Sequence, residues 1–395
     1  MHPLVGHQDA RSALARARSR GTLPAALLVM GPRGVGKQRL ALWLAQVVLC
    51  AEPGPDGGCG SCRNCRRVLR LEHPDLHWFF PVARPKGVSP EKLGQALEEA
   101  RHERLAELRE APLHSSYTDE SVAIYLAAAQ ELRRKARSRP AESGEQIFII
   151  ADAETLVPQE SSPEAANALL KLLEEPPPDT RFILTSSEPG RLLDTIRSRT
   201  VPLHLSPPSV DEAAAFLAAR GHDPEAASQA ARLAGGSIGM ALGFLPGEDG
   251  ELGPLEEQRR ASLSLLRAAL AEGPGNGYAL VLDPEFTKRP EMKKARLLVP
   301  LLDFLDIWIR DLAAITSGAP DQVVNRDALT FLQKTAQSRN LHAAAVSEAV
   351  RVVEEARREA RGNVTPVLVI AGLVSRLQRA LLASPLNPSP IPART

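Results

Sequence analysis

Residues 26–38 read Ala-Leu-Leu-Val-Met-Gly-Pro-Arg-Gly-Val-Gly-Lys-Gln, and no other stretch restricts the fold so tightly. Leu27–Met30 is apolar without alternation, as suits a strand of a parallel sheet covered on both faces. Gly31, Gly34 and Gly36 then permit a tight turn whose backbone N–H groups point inward. Lys37 follows, placed where an ammonium reaches the β- and γ-phosphates of a nucleotide. Leu40, Trp43, Leu44, Val47 and Val48 recur at i, i+3, i+4, i+7 and i+8, the apolar face of a helix returning along the sheet. The pattern predicts an α/β fold built on a phosphate loop. One letter departs from it. Magnesium asks for Ser or Thr after the lysine, and the chain has Gln38. An amide oxygen on a longer arm is a poor substitute for a short hydroxyl in a tight octahedral shell.

Further strands are predicted at Asp75–Phe80, Gln146–Asp152, Arg181–Thr185 and Val201–Leu205. Asp152 lies at the C-terminal tip of its strand, where α/β proteins bind ligands. It reads equally as a magnesium ligand or as the cap of the next turn. A hydrolytic site usually carries a second carboxylate directly after the first. Here Ala153 stands there, and Glu154, one step on, is expected to point elsewhere. Ser162-Pro163-Glu164 starts a helix with favourable chemistry, and Pro176-Pro177-Pro178 stops it. A short helix over Leu192–Ile196 delivers Ser198-Arg199-Thr200 to the last strand. Ser121–Ser138 reads as another helix with a basic end at Arg133-Arg134-Lys135-Ala136-Arg137. Before it, residues 85–119 are dense in Glu and Arg over a thin leucine stripe, which predicts a solvated helical insertion.

The four cysteines of the chain cluster at positions 50, 59, 62 and 65. The N-terminus lacks the charged-then-apolar pattern of a secretion signal, so disulfides are not expected. Cys50, Cys59, Cys62 and Cys65 supply the four soft ligands of a tetrahedral zinc site, favoured over a redox dithiol or ordinary buried thiols. With all four positions filled by protein, the zinc is structural. Its binding energy, on the order of 10–16 kcal/mol, is ample to fold an insert with no core of its own.

Pro207-Pro208 marks a boundary, and three short helices follow to Phe244. Residues 246–254 form a Gly-, Pro- and acid-rich linker, after which the pattern is helical. The expected division is a phosphate-loop core over 1–205 with the zinc module (50–65) and the helical insertion (85–119), then a helical lid over 206–246. An all-α collar over 247–384 and a disordered tail over 385–395 complete it. With 48 basic and 47 acidic residues the net charge is +1, so no global field argues for autonomous nucleic-acid binding. No apolar run approaches a membrane span, and a soluble, cytoplasmic protein is expected, with no membrane partner.

Several stretches together resemble the bacterial clamp-loader branch of the AAA+ family. They are Gly31–Lys37, the Cys50, Cys59, Cys62, Cys65 spacing, His73-Pro74-Asp75, the block Asn167-Ala168-Leu169-Leu170-Lys171-Leu172-Leu173-Glu174-Glu175-Pro176, and Ile196-Arg197-Ser198-Arg199. The helical remainder is similar only in size and class. The resemblance implies that Arg199 is an arginine finger offered in trans to the ATP site of a neighbouring subunit; Thr200 replaces the cysteine of the usual Ser-Arg-Cys motif. It also implies partners: other clamp-loader subunits of gamma/tau and delta type, the sliding clamp, and primer-template DNA within the complex. Active motor subunits of the family carry Thr after the loop lysine, an Asp-Glu pair on the third strand, and a lid arginine. This chain has Gln38, Asp152-Ala153 and Gly239. Three altered parts of one site imply a subunit without ATPase activity of its own, inside a replicative DNA polymerase complex. Whether the loop formed by Gly31, Gly34, Gly36, Lys37 and Gln38 with Asp152 still holds ATP or ADP stays open. The alternatives are an ATP-hydrolysing motor of the gamma/tau kind, another AAA+ ATPase, and a zinc-bearing nucleic-acid adaptor.

Overall fold

A computed structural model describes residues 4–89, 91–110, 122–156, 164–247, 250–271, 275, 279–280, 282–293, 295–362 and 364–382. The helix start at Ser162-Pro163, residues 111–119 of the insertion and the tail lie outside these. The chain forms two compact units, residues 1–242 and 243–395.

The first unit is built on a five-stranded parallel sheet. Its strands are β1 (Ala26–Met30), β2 (Leu76–Phe79), β5 (Gln146–Ile150), β6 (Thr180–Ser186) and β7 (Val201–His204), in the order β2-β5-β6-β1-β7. β1 sits between β6 and β7, with Val29 opposite Thr185 and Leu203. β1 and β5 are buried at every position, which explains their unbroken apolar sequences. Parallel neighbours need crossovers, and helices supply them. α1 (Gln8–Ser19) and α2 (Lys37–Leu49) bring Leu14, Leu40, Leu44 and Val47 into one core layer with Val29, Ile147 and Ile149. α5 (Leu126–Ala136), α6 (Glu164–Glu174) and α7 (Asp194–Arg197) bring Leu132, Leu169, Leu172 and Ile196 into the other, with Leu28, Phe148 and Ile150. α3 (Arg63–Leu69) belongs to the cysteine module and adds Val68 to the first layer.

Two segments differ from their sequence reading. Val122–Ala123 pairs antiparallel with Val82–Ala83 as a small ladder, β4 on β3, so the helix predicted from Ser121 begins only at Leu126. The insertion helix α4 (Leu93–Glu110) is not simply solvated: Leu97, Arg101 and Leu105 are buried. Arg101 donates to the Trp78 carbonyl on edge strand β2 at 3.1 Å, lies 5.2 Å over the Phe79 ring, and pairs with Glu98. The opposite edge, β7, carries Pro202, which has no N–H to offer a further strand. α8 (Val210–Ala218), α9 (Pro224–Leu233) and α10 (Ile238–Ala241) end the unit. Ser209 and Glu212 form a reciprocal capping box on α8, and Asp223 caps α9 ahead of Pro224.

The second unit is helical, with α11 (Pro254–Leu270), α12 (Leu298–Thr316), α13 (Leu329–Ser338), α14 (Ala343–Arg361) and α15 (Pro366–Leu382) around one core. A polar network lies inside it. Buried Arg259 bonds Glu256, Asn325 and Asp327, and Asn325 in turn donates to buried Asp311 at 2.6 Å.

Candidate functional site

The C-terminal ends of β1, β5 and β6 bring together the loop 31–37, Asp152 and Ser187. Gly36 caps α2 in a left-handed conformation, so the helix starts at Lys37. The Lys37 side chain is buried and folds back on its surroundings: Nζ donates to the carbonyls of Gly31 (2.9 Å) and Pro32 (2.8 Å) and to Ser187 Oγ (2.8 Å). All three ammonium protons thus have acceptors. Burial lowers the Lys37 pKa, opposed by the nearby Asp152 and Glu154 carboxylates.

Gln38 Nε2 donates to Asp152 Oδ2 at 3.3 Å. An amide therefore meets the carboxylate where a phosphate loop of the ordinary kind would place a hydroxyl and an acid on one cation. Asp152 has φ 47° and its N–H donates to Thr185 Oγ1 at 3.1 Å. Burial, then the charge of Glu154, raises its pKa.

Glu154 corrects the sequence reading. Ala153–Leu156 is a 3₁₀ turn, and instead of pointing elsewhere Glu154 is brought inward, 5% exposed, to accept the Ser187 N–H at 3.0 Å. Its second oxygen is buried without a partner among the described residues. Sequence reasoning also missed His7, whose ring Nε2 meets the Val35 carbonyl at 2.8 Å.

The lid segment sits directly on the loop. Gly239 N–H donates to the Gly34 carbonyl at 2.9 Å, and Ser237 Oγ to the Arg33 carbonyl at 2.5 Å. Only glycines allow this approach. A Cβ on Gly34, itself at φ 71°, would lie 2.5 Å from the Met240 nitrogen, and one on Gly239 2.8 Å from the Gly34 Cα.

Arg199 lies apart from this cluster, just beyond α7. Its guanidinium pairs with Glu174 at the end of α6, with Nε 2.7 Å from Oε1, and donates to the Thr195 carbonyl at 2.8 Å. It remains partly exposed at the surface.

The four cysteines converge as their spacing requires. All four sulfurs lie within 4.8 Å of one another. Cys50 and Cys62 Sγ are 3.9 Å apart, as are Cys59 and Cys65 Sγ. Four-coordinate binding through sulfur at about 2.3 Å sets ligands about 3.8 Å apart, so the cluster fits a metal ion. Backbone N–H groups of Cys59, Cys62 and Cys65 point at the Cys50, Cys59 and Cys62 sulfurs, a donor set that favours thiolates. The N–H groups of Cys62 and Ser61 lower the Cys59 thiol to about 6, while burial pushes Cys65 up. The His73-Pro74-Asp75 motif secures the module from below. The Asp75 carboxylate takes the N–H groups of Ala141, Glu142 (3.0 Å) and Ser143 (2.7 Å). That turn then holds α3 through Arg67–Glu142 and Asn64–Ser143.

A family model described as DNA polymerase III, delta subunit, matches residues 6–209, just over half of the chain. DNA polymerase III subunit delta' of Bacillus subtilis (strain 168) is 28% identical over 366 residues, covering 89% of this chain and 90% of that protein. Subunit delta' of Escherichia coli (strain K12) is 30% identical over 225 residues, covering 57% of this chain and 55% of that protein. Subunit tau of the same strain is 27% identical over 321 residues, 76% of this chain and 42% of that protein. The chain thus spans most of the Bacillus relative but about half, or less, of the two Escherichia proteins. The sheet, the loop and the cysteine module all lie inside the matched span, and the chain belongs to the DNA polymerase III delta-subunit family, as a clamp-loader subunit of delta' type.

Proposed function

We propose that this subunit does not hydrolyse ATP and instead completes the nucleotide site of a neighbouring motor subunit with Arg199. The observation that carries the reading is the state of its own loop. Lys37 is spent on two loop carbonyls and Ser187, Gln38 meets Asp152, and the lid is bonded to Gly34. A phosphate entering that loop must break buried contacts that are already made, so ATP or ADP is held weakly and without turnover. Arg199, by contrast, is reachable at the surface and fixed by the Glu174 carboxylate, the Thr195 carbonyl and the Ser198 hydroxyl. A guanidinium so presented matches phosphate geometry in a partner's site, and such fingers are worth about 10³–10⁵ in rate.

Its partners are other clamp-loader subunits, as family membership implies. Through them it acts on the sliding clamp at primer-template DNA, in the cytoplasm. Among the described residues no helix is long and apolar enough to cross a membrane. The second unit serves as the oligomerisation collar, and the cysteine cluster holds structural zinc, its donor set being four thiolates.

Steady-state ATPase assays test the proposal. The isolated chain is expected to show no turnover above background. Arg199→Ala is expected to leave the subunit folded and assembled and to lower the DNA-stimulated ATPase of the reconstituted complex at least several-fold, as loss of a finger at one site requires. Robust turnover by the isolated chain, abolished by Lys37→Ala, would overturn the first part. An unchanged rate with Arg199→Ala would overturn the second.

A further inference from the structure

The cysteine module carries a row of cations that neither the loop nor Arg199 explains. Arg63, Arg66 and Arg70 are exposed and spaced i, i+3, i+7, so they share one face of α3 and its C-terminal cap. None has a carboxylate partner among the described residues. Arg67, on the same helix, is half-buried and neutralised by Glu142. Through Glu142 and Ser143, α3 adjoins the turn that follows α5, and that turn presents exposed Arg137 and Arg139, also without a carboxylate partner among the described residues. Three such guanidinium groups on one face of α3 and two on the turn bonded to that helix thus lie in adjoining segments, in a chain whose net charge is +1. The acids of these segments are Glu72, exposed, and Glu142, already paired.

We propose that this face binds the phosphate backbone of nucleic acid, without regard to base sequence. Seven residues of helix carry the row over about 10 Å, the axial reach of about three phosphate steps at about 3.4 Å each. Arginine rather than lysine fills every position, and its planar fork matches phosphate oxygens. An acidic protein segment is the rival partner. Protein interfaces are anchored by buried apolar side chains, and this face offers none: among the described residues the exposed large hydrophobics are Val122, Val201, Leu252, Leu282, Val364 and Leu368, all outside α3 and the 137–143 turn. No exposed aromatic ring lies on those two segments for base stacking, so attraction is electrostatic and falls steeply with salt.

The test uses the full chain, titrated into a labelled single-stranded oligonucleotide and a labelled duplex between about 50 and about 200 mM salt. Binding is expected to be weak, sequence-independent and salt-sensitive. Arg63→Glu with Arg66→Glu and Arg70→Glu is expected to weaken it at least about tenfold and to make the log K against log salt slope shallower by about two to three. Arg137→Ala with Arg139→Ala lies outside the cysteine module. It is expected to weaken binding by a smaller factor, and it decides the matter if the triple variant loses metal or fold. The two oligonucleotides show which form supplies the phosphates. Unchanged affinity and slope in a folded variant would overturn the proposal, as would no binding at the lowest salt. Tighter binding of a polyglutamate peptide than of either oligonucleotide would assign the face to a protein partner instead.

Discussion

The Lys37 ammonium is buried between two backbone carbonyls and Ser187 and faces two carboxylates, so it is a buried cation with internal partners. Lys37→Ala is expected to lower stability by about 2 kcal/mol, because Asp152 and Glu154 lose their buried counter-charge. ATPase of the reconstituted complex is expected to stay near normal per folded subunit, which thermal melts and turnover assays together check. His77 gives a separable pH signature. Burial, then Lys135, lowers its pKa from 6.5 to about 4. As pH falls through this range the unfolded chain takes up the proton first. The contribution is therefore intact above 6.5 and lost progressively down to about 4. His77→Phe, which keeps a ring against Phe148, is expected to flatten the melting temperature across this window; an unaltered pH profile would refute the assignment. At this scale the sequence was most legible where chemistry depends on short spacing. The three glycines, Lys37, Gln38 and the four cysteines needed no tertiary information. Glu154 was not legible, because its direction hangs on a 3₁₀ turn entered through a left-handed Asp152. Glu174 was not legible as the partner of Arg199 either, since 25 residues and a strand separate them.

Among the elements, α4 was the least readable. Its composition is that of a solvated helix, and most of its surface is one. Besides buried Leu97 and Leu105 and the Arg109 bonds to the Arg70 and Leu71 carbonyls, it is attached through an arginine whose charge is matched by Glu98 and whose plane lies on Phe79. The same bond holds the Glu98 carboxyl down at about 2. Arg101→Ala is expected to cost about 2–4 kcal/mol, since Glu98 and the Trp78 carbonyl both lose their donor. Arg101→Lys is expected to recover only part, because one ammonium cannot serve a carboxylate bidentately and stack on a ring. Denaturant melts of the three proteins would show this order, and equal stability of wild type and Arg101→Ala would contradict it. β1, α2 and β5 were legible because burial on both faces writes itself as an unbroken apolar run or a helical stripe. β4 was not, since two residues carry no period.

For the molecule as a whole, sequence gave the number of parallel strands but not their order. Nothing local shows that β1 lies between β6 and β7; that follows from crossovers closing over a common core. The metal cluster is the other global determinant. Its cysteines come from the end of α2, a glycine-rich loop and the start of α3, so an ion bound there would add a tie to elements already joined by Val68 packing and the bonds of Asn64 and Arg67. Metal analysis of protein purified without chelator is expected to find about one zinc per chain. Stripping it is expected to lower the melting temperature of the first unit and to leave the buried Arg259 network of the second intact, as hydrogen exchange would resolve. Loss of protection in both units alike would contradict this.

The two borders of the parallel sheet bear on how such a subunit meets its neighbours. At β2 a carbonyl is consumed by Arg101, and at β7 Pro202 withholds a donor. Neither border invites a foreign strand, which is how many sheet proteins polymerise by accident. On the proposed reading, contacts with adjoining subunits are made by side chains such as Arg199, whose bonds form and break singly. An assembly joined in that way can open and reclose through each cycle without unzipping a ladder of backbone hydrogen bonds.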